Sequence, residues 1–248
     1  MTIEEKLKKE SFKEYNKNQK VQLTEYDSKN ELVSDLKKYP HAFVLACVMD
    51  RQITAERAWG IPYEIKKIVG SFDINVLKKV SLEEYKKIFS TNNLHRFNDS
   101  MAVVFYNAVH KIVDDYNGDA SNIWEGKPSS AAVVSKFLDF DGVGVKIATM
   151  ATNILSRVFK VKLSDYYSID ISPDVHVKRV FKRMGLVNDI NNVDKIIYKA
   201  KSISPEFPGI LDLTCWKLGK DICRPKNPKC ENCQFTKECP KIINEGDK

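Results

Sequence analysis

The sequence has no long apolar stretch, since its longest uninterrupted run, Ala42 to Met49, has eight residues. A membrane-spanning helix needs roughly 20. The first ten residues, MTIEEKLKKE, are charged and contain no apolar segment typical of a signal peptide. We therefore expect a soluble cytoplasmic protein with no membrane partner. Its 248 residues allow one large domain or two small ones.

Glycine and proline are scarce, with 10 and 9 residues, and no segment alternates polar and apolar residues as a strand does. Apolar residues instead recur at helical spacing, as at Phe105, Val109 and Ile112. Ser81 and Glu84 are spaced as a capping box. The pattern predicts an all-α fold. Helices are expected over 3–18, several within 31–138, then 145–159, 174–184, 191–202 and 208–219, with a turn over 141–144 and an irregular link over 160–172.

Arginine is also scarce, because 33 of the 40 basic residues are lysine. The net charge of +7 is compatible with a polyanionic partner but does not identify one. Composition therefore says little about function, and the motifs carry the argument.

Cysteine is the informative residue type. Cys47 and Cys215 lie in apolar helical stretches, where a cysteine behaves as a small buried hydrophobe. The other four fall within 17 residues near the C-terminal end of the sequence: Cys223, Cys230, Cys233 and Cys239. A tight cluster in a chain without secretory features indicates a metal site. Zinc ribbons usually have two C-x2-C pairs and this loop has one, so the spacing favours a [4Fe–4S] cluster over a structural zinc.

A glycine turn joins two predicted helices at Asp141-Gly142-Val143-Gly144, and Lys146 follows in the first helical turn. Glycine permits left-handed backbone angles and close approach of another backbone. The free amides of the second helix form an anion site suited to a phosphate. A plain helix corner with glycine as the C-cap is the alternative.

These motifs resemble those of a known family. The stretch Gly142 to Ala148, GVGVKIA, resembles the helix-hairpin-helix motif of DNA-repair glycosylases, although Asp141 stands where the family has proline. The segment 174–179, DVHVKR, resembles the D-x-H-x-x-R segment of the same enzymes. Residues 44–54 resemble a helix end that carries a glutamine, here Gln52. Together with the cysteine spacing, the chain resembles the endonuclease III superfamily over most of residues 40–240.

The resemblance implies two all-helical lobes on either side of a DNA-binding cleft. One lobe is a six-helix barrel over 31–157 that contains the hairpin. The other combines 1–30 with 158–248 and carries the iron–sulfur cluster. The implied partner is double-stranded DNA with a damaged base or an abasic site. We expect a monomer, associated with the nucleoid if the source is prokaryotic.

The implied activity is base-excision repair, in which Lys146 attacks the sugar C1′ to form a Schiff base and Asp174 offsets the developing positive charge. Strand nicking by β-elimination would follow, with an oxidised base as the expected target. The implied ligands of the [4Fe–4S] cluster are Cys223, Cys230, Cys233 and Cys239. The implied DNA contacts are Gln52, Gly142, Val143, Gly144, Lys146, Arg224, Lys226 and Lys229.

Other interpretations stay open for several of these residues. Lys146 is also suited to pairing with a phosphate, Asp174 to a simple helix N-cap, and Gln52 to a solvent-facing position. Tyr166 and Tyr167 in the link are suited either to a base pocket or to ordinary loop packing. The rival functions are an 8-oxoguanine-type glycosylase, a monofunctional mismatch glycosylase, a non-catalytic iron–sulfur DNA-binding protein and a DNA-bound redox sensor.

Overall fold

A computed structural model describes residues 1–17, 24 and 26–243 of the chain. Within these residues there are α-helices, short 3₁₀ turns and one π-helical turn, and no strand. The all-α prediction is confirmed. The α-helices are α1 Ile3–Asn16, α2 Asp27–Ser34, α3 Pro40–Met49, α4 Ala55–Val69, α5 Ile74–Leu77, α6 Leu82–Thr91, α7 Asn98–Asp115, α8 Ser130–Leu138, α9 Val145–Arg157, α10 Val175–Arg183, α11 Val193–Ile203 and α12 Leu211–Lys217.

Helix α3 lies at the centre of the N-terminal half. All ten of its residues are buried, because the longest apolar run of the sequence is apolar on every side of the helix. It packs against α2, α4, α7 and α9. The start of the hairpin helix α9 and the end of α3 are thereby held on one rigid framework.

The first helix packs on the C-terminal part of the chain. Helix α1 contacts α11 and α12. Lys6 forms an ion pair of 2.8 Å with Glu238, and Lys217 pairs with Glu14. Buried apolar residues form one connected cluster that runs from Leu7 in α1 to Phe235 in the cysteine loop. The division into two lobes over 31–157 and the remainder stays a prediction.

Most predicted helix ends match the structure. Ser81 and Glu84 form the expected capping box, and Asp174 is the N-cap of α10. Residue 18, the predicted end of the first helix, lies outside the described residues. The helix predicted over 208–219 differs, because it is divided into a 3₁₀ turn at Pro208–Ile210, α12, and a π-helical turn at Leu218–Ile222. In the described part of the chain, no helix is both long enough and apolar enough to span a membrane.

Candidate active site

The predicted hairpin is present, with α8 and α9 joined by the glycine turn. Gly142 has a φ of 76°, the left-handed angle that glycine adopts without strain. Gly144 does not use this freedom. It is the N-cap of α9 with an extended backbone and a φ of −101°. Val143, between the two glycines, packs into the core.

The start of α9 presents free backbone amides. No side chain caps it, and the side chains of Val145 and Lys146 are exposed. An uncapped helix start carries unpaired N–H groups and a partial positive charge, which together favour a bound anion. This geometry matches the phosphate site that the motif predicts.

The surroundings of the turn also suit an anion. The Asp141 carboxylate accepts a hydrogen bond of 2.8 Å from the Asn107 amide on α7, which engages the one acidic group of the turn. A Cβ added to Gly142 would lie 3.4 Å from a guanidinium nitrogen of Arg51. The charge of Arg51 therefore lies beside the hairpin, a contact that the sequence alone did not suggest.

Lys146 has an acidic neighbour that sequence reasoning missed. Asp50 directly follows α3, and burial raises the pKa of its carboxyl while the positive charge of Lys146 lowers it. The two groups therefore interact electrostatically. They lie 96 positions apart in the sequence, so no local pattern indicates the pairing.

Gln52 lies in the loop after α3, exposed, with a φ of 55°. A left-handed conformation is uncommon for a residue other than glycine, and such strain concentrates at functional sites.

The loop between α6 and α7 is held by Arg57, whose Nε donates to the Leu94 carbonyl at 3.0 Å. That loop presents the Phe97 ring, which is 38% exposed and lies beneath Arg96. Sequence reasoning also missed this aromatic side chain.

Asp174 begins α10. Its Oδ1 accepts hydrogen bonds of 2.8 Å from the backbone amides of His176 and Val177. The N-cap interpretation is therefore correct. One carboxylate oxygen makes both capping bonds, and the side chain is partly exposed. Asp174 is thus held in a fixed position by the helix that it starts.

Helix α10 connects Asp174 to the cysteine loop. Nε of Arg179 donates to the Cys223 carbonyl at 2.7 Å, and Nη2 donates to the Gly219 carbonyl at 2.6 Å. A Cβ on Gly219 would lie 2.6 Å from the His176 Cβ, so only glycine allows this approach. The D-x-H-x-x-R segment therefore contains both the N-cap and the first tie to the loop.

The four clustered cysteines line one small pocket, whose cavity volume is about 30 Å³. All four thiols are free. Burial raises the pKa values of Cys233 and Cys239, and the neighbouring cysteines raise them further. Across the described residues, no three acidic, histidine or cysteine side chains are close enough to hold a single metal ion.

Arg183, at the end of α10, is buried beneath this loop. Nη2 donates to the Pro225 carbonyl at 3.0 Å, and Nη1 lies 3.6 Å from Sγ of Cys223. The Arg183 carbonyl accepts from Sγ of Cys239 at 3.4 Å. One residue therefore contacts both the first and the last cysteine of the loop, and its burial was not predictable from the sequence.

The basic residues of the loop differ in exposure. Arg224 and Lys226 are exposed, and Lys229 is partly buried. In the link, Tyr166 stacks on Phe207 with ring centroids 5.0 Å apart, which is the loop-packing alternative. Tyr167 is exposed.

Comparison with solved structures identifies the fold. The chain is similar to endonuclease III in a trapped covalent intermediate with DNA, with 19% identity and a TM-score of 0.60 over 97% of both chains. A non-covalent endonuclease III–DNA complex has 18% identity and a TM-score of 0.60, again over 97% of both chains. A thermostable thymine-DNA glycosylase has 16% identity and a TM-score of 0.62 over 96% of both chains. Comparison with protein-family models and with curated proteins gave no match.

The chain therefore has the fold of the helix-hairpin-helix DNA glycosylases, as its motifs predict. Endonuclease III and thymine-DNA glycosylase are two proteins that it resembles along nearly its whole length. At these low identities the similarity defines the fold, and the residues of the site carry the functional argument.

Proposed function

We propose that this protein is a base-excision DNA glycosylase with an associated AP lyase activity. The observation that carries the proposal is Lys146, an exposed amine in the first turn of a helix that no side chain caps. A deprotonated lysine amine is a nucleophile that forms Schiff bases with the aldehyde form of a sugar. The similar endonuclease III structure is a covalent intermediate with DNA, which supports the same chemistry here.

The reaction would begin with extrusion of the damaged nucleotide from the duplex. Nζ of Lys146 then attacks the sugar C1′, and the bond from C1′ to the base breaks, with the base leaving as an anion that takes up a proton. The carboxylate of Asp174 offsets the positive charge that develops on the sugar. Loss of a proton from the amine and ring opening give the Schiff base. Removal of a C2′ proton then breaks the C3′–O bond and nicks the strand.

Asp50 has a role within this proposal. Its carboxyl is largely buried beside Lys146, and its pKa is raised by that burial. A carboxylate of raised basicity is suited to accept the proton that an ammonium group must lose before it attacks. Asp50 is therefore our candidate for the group that receives the proton of Lys146.

The DNA contacts follow from the surfaces described above. The amides around Gly142, Val143 and Gly144 would bind one phosphate. Gln52 would fill the space left by the extruded nucleotide. Exposed Arg224 and Lys226, with Lys229 behind them, would contact the phosphate backbone.

The cysteine loop fits an iron–sulfur cluster better than a single metal ion. Four sulfurs around one zinc at 2.3 Å lie within about 3.8 Å of one another. The four cysteines instead line one pocket together, and among the described residues no three His, Cys, Asp or Glu side chains are grouped as a single-ion site. A [4Fe–4S] cube takes four thiolates at wider spacing. Cys223, Cys230, Cys233 and Cys239 would hold it, and its bonds would brace the loop. Arg179 and Arg183 hydrogen-bond to this loop, so an ordered loop would also hold α10 and its N-cap Asp174 in place.

The fold alone does not select the target base, because thymine-DNA glycosylase and endonuclease III are similar to the chain at comparable TM-scores. Lys146 favours the bifunctional type over a monofunctional mismatch enzyme. An oxidised base is our proposed substrate.

The test uses purified protein with its metal content measured and duplexes that carry oxidised pyrimidines, 8-oxoguanine or a T·G mismatch. Base release and strand cleavage are followed separately. We expect release and nicking on an oxidised-base duplex, both lost in Lys146→Ala while DNA affinity is kept. Lys9→Ala removes another exposed lysine, on α1, and serves as the matched control. Loss of affinity alone in Lys146→Ala would make Lys146 a phosphate contact and overturn the lyase assignment.

A further inference from the structure

Asp212, at the start of α12, lies between the elements that carry the two candidate catalytic residues. Its Oδ2 is 3.5 Å from the Asn153 amide on α9, and its Oδ1 accepts from the Ser172 backbone amide at 3.3 Å. Ser172 is two residues before Asp174, and its carbonyl accepts from the Asp174 amide at 2.7 Å. One carboxylate therefore contacts both the helix of Lys146 and the loop of Asp174.

The contact on α9 is on the face that begins with Lys146. Asn153 is seven residues further and Arg157 eleven, which are two and three turns of an α-helix. The charge of Arg157 acts on Asp212. A change at Asp212 therefore acts on the same side of the helix from which Lys146 projects.

The cluster around Asp212 contains buried polar atoms that have no partner of their own. Asn153 Oδ1, Arg157 Nε and Ser172 Oγ are buried and have no hydrogen-bond partner among the described residues. Buried polar atoms without partners are costly, so the contacts to Asp212 matter for the order of this region. The contacts that it makes are both with donors, which an ionised carboxylate, with no proton of its own, accepts best.

We propose that Asp212 is a positioning residue, which in its ionised form fixes the Asp174 loop against the helix of Lys146. This inference rests on the proposed glycosylase function for its catalytic consequence. It predicts that the alignment of the two residues depends on the protonation of Asp212.

Burial and the charged groups around Asp212 determine the pH at which its carboxyl loses its proton. Burial raises the pKa of Asp212 to about 7, Arg157 on α9 lowers it, and the charge of Asp174 raises it again. Glu14 on α1 acts on Arg157, and Cys215 lies near Asp212 on α12. Asp170, in the same loop as Ser172, is paired with Lys201 at 3.0 Å. The ionisation of Asp212 therefore changes near neutral pH.

The first test compares single-turnover base release by wild type and Asp212→Asn from about pH 5.5 to about pH 8.5. The ratio of the wild-type rate to the variant rate cancels titrations that both proteins share. We expect the wild-type rate divided by the Asp212→Asn rate to rise about tenfold as pH passes through neutrality. A small misplacement of Asp174 relative to Lys146 is enough to reduce the rate strongly. A ratio that does not change with pH would overturn the proposal. Asp194→Asn, at an exposed position on α11, is the matched control.

A second measurement does not depend on activity. Hydrogen–deuterium exchange of residues 169–175 is compared between wild type and Asp212→Asn at equal pH. Ionisation of Asp212 also lowers the global stability of wild type, so the protection of residues 169–175 is divided by that of helix α3 in the same protein. We expect this ratio to be equal in the two proteins at the acid end and higher in wild type at the alkaline end. If wild type releases no base from any duplex, the proposed function fails, and this exchange difference alone decides the positioning role. Identical exchange at every pH would refute it.

Discussion

The side-chain amide of Asn153 donates a hydrogen bond of 2.9 Å to the carbonyl of Gly209. The same glycine donates its backbone amide to the Ile169 carbonyl at 2.7 Å. Helix α9 and the link before Asp174 thus meet at one backbone unit. The bond joins residues 56 positions apart, and it explains why a glycine stands at this point.

Gly209→Ala is expected to destabilise the protein. The new Cβ would lie 2.7 Å from the Ile169 side chain and 2.9 Å from its carbonyl oxygen. Relieving such overlap costs about 1–3 kcal/mol in the free energy of unfolding. Gly60→Ala is the control, because the atom nearest to its Cβ position, 3.1 Å away, is the flexible Nζ end of the Lys29 side chain. Thermal or urea unfolding measures both, and equal stability of the two variants would contradict the packing described here.

Replacement of Asp174 separates capping from catalysis. Asparagine is as good an N-cap as aspartate, whereas alanine loses about 1 kcal/mol. We therefore expect Asp174→Asn to retain stability and Asp174→Ala to lose it. Base release is expected to fall by at least about a hundredfold in both, because neither carries the charge. Full activity in Asp174→Asn would show that Asp174 is only a cap.

Arg183→Ala is expected to disorder the cysteine loop. The guanidinium donates to the Pro225 carbonyl and contacts Cys223, so its removal takes away the contacts that tie the loop to the end of α10. We predict that iron per chain and the visible absorbance of the cluster fall by more than half. Arg224→Ala, which removes an exposed arginine of the same loop, is expected to leave both unchanged. Normal iron content in Arg183→Ala would refute the bracing role.

The stability of the protein is expected to depend on Asp212 and pH. Since folding raises the pKa of this carboxyl to about 7, the folded state holds its proton where the unfolded state has lost it. The contribution of Asp212 is therefore fully present below about pH 4 and is lost as pH rises through about 7. The free energy of unfolding of wild type relative to Asp212→Asn should fall across this window, by at most about 4 kcal/mol. A constant difference would contradict the raised pKa.

Local patterns predicted most of the fold. Apolar spacing and capping residues located the helices, and the N-cap at Asp174 and the buried Cys47 followed from them. The glycine turn was located correctly, but two glycines in one turn do not indicate which takes the left-handed angle, and of the two it is Gly142. Composition and spacing also brought out the cysteine loop.

Long-range contacts were not predictable. Asp212 reaches Asn153 across 59 positions, and Arg183 reaches Pro225 across 42. Asp50 and Lys146 interact between helices that are distant in the chain. Such pairs arise from tertiary packing, and a single sequence contains no periodic or spacing signal for them. The sequence therefore identified Lys146 and Asp174 at helix starts, but not Asp50 and Asp212, the carboxylates that lie near them in the structure.

Trapping with borohydride on an abasic-site duplex tests the central claim most directly. Borohydride reduces a Schiff base between an amine and the opened sugar to a stable covalent bond. Our account predicts a covalent protein–DNA adduct with wild type and none with Lys146→Gln under the same conditions. Absence of an adduct from wild-type protein that binds the duplex and contains its full complement of iron would contradict the lyase mechanism. An equal adduct from Lys146→Gln would assign the nucleophile to another residue.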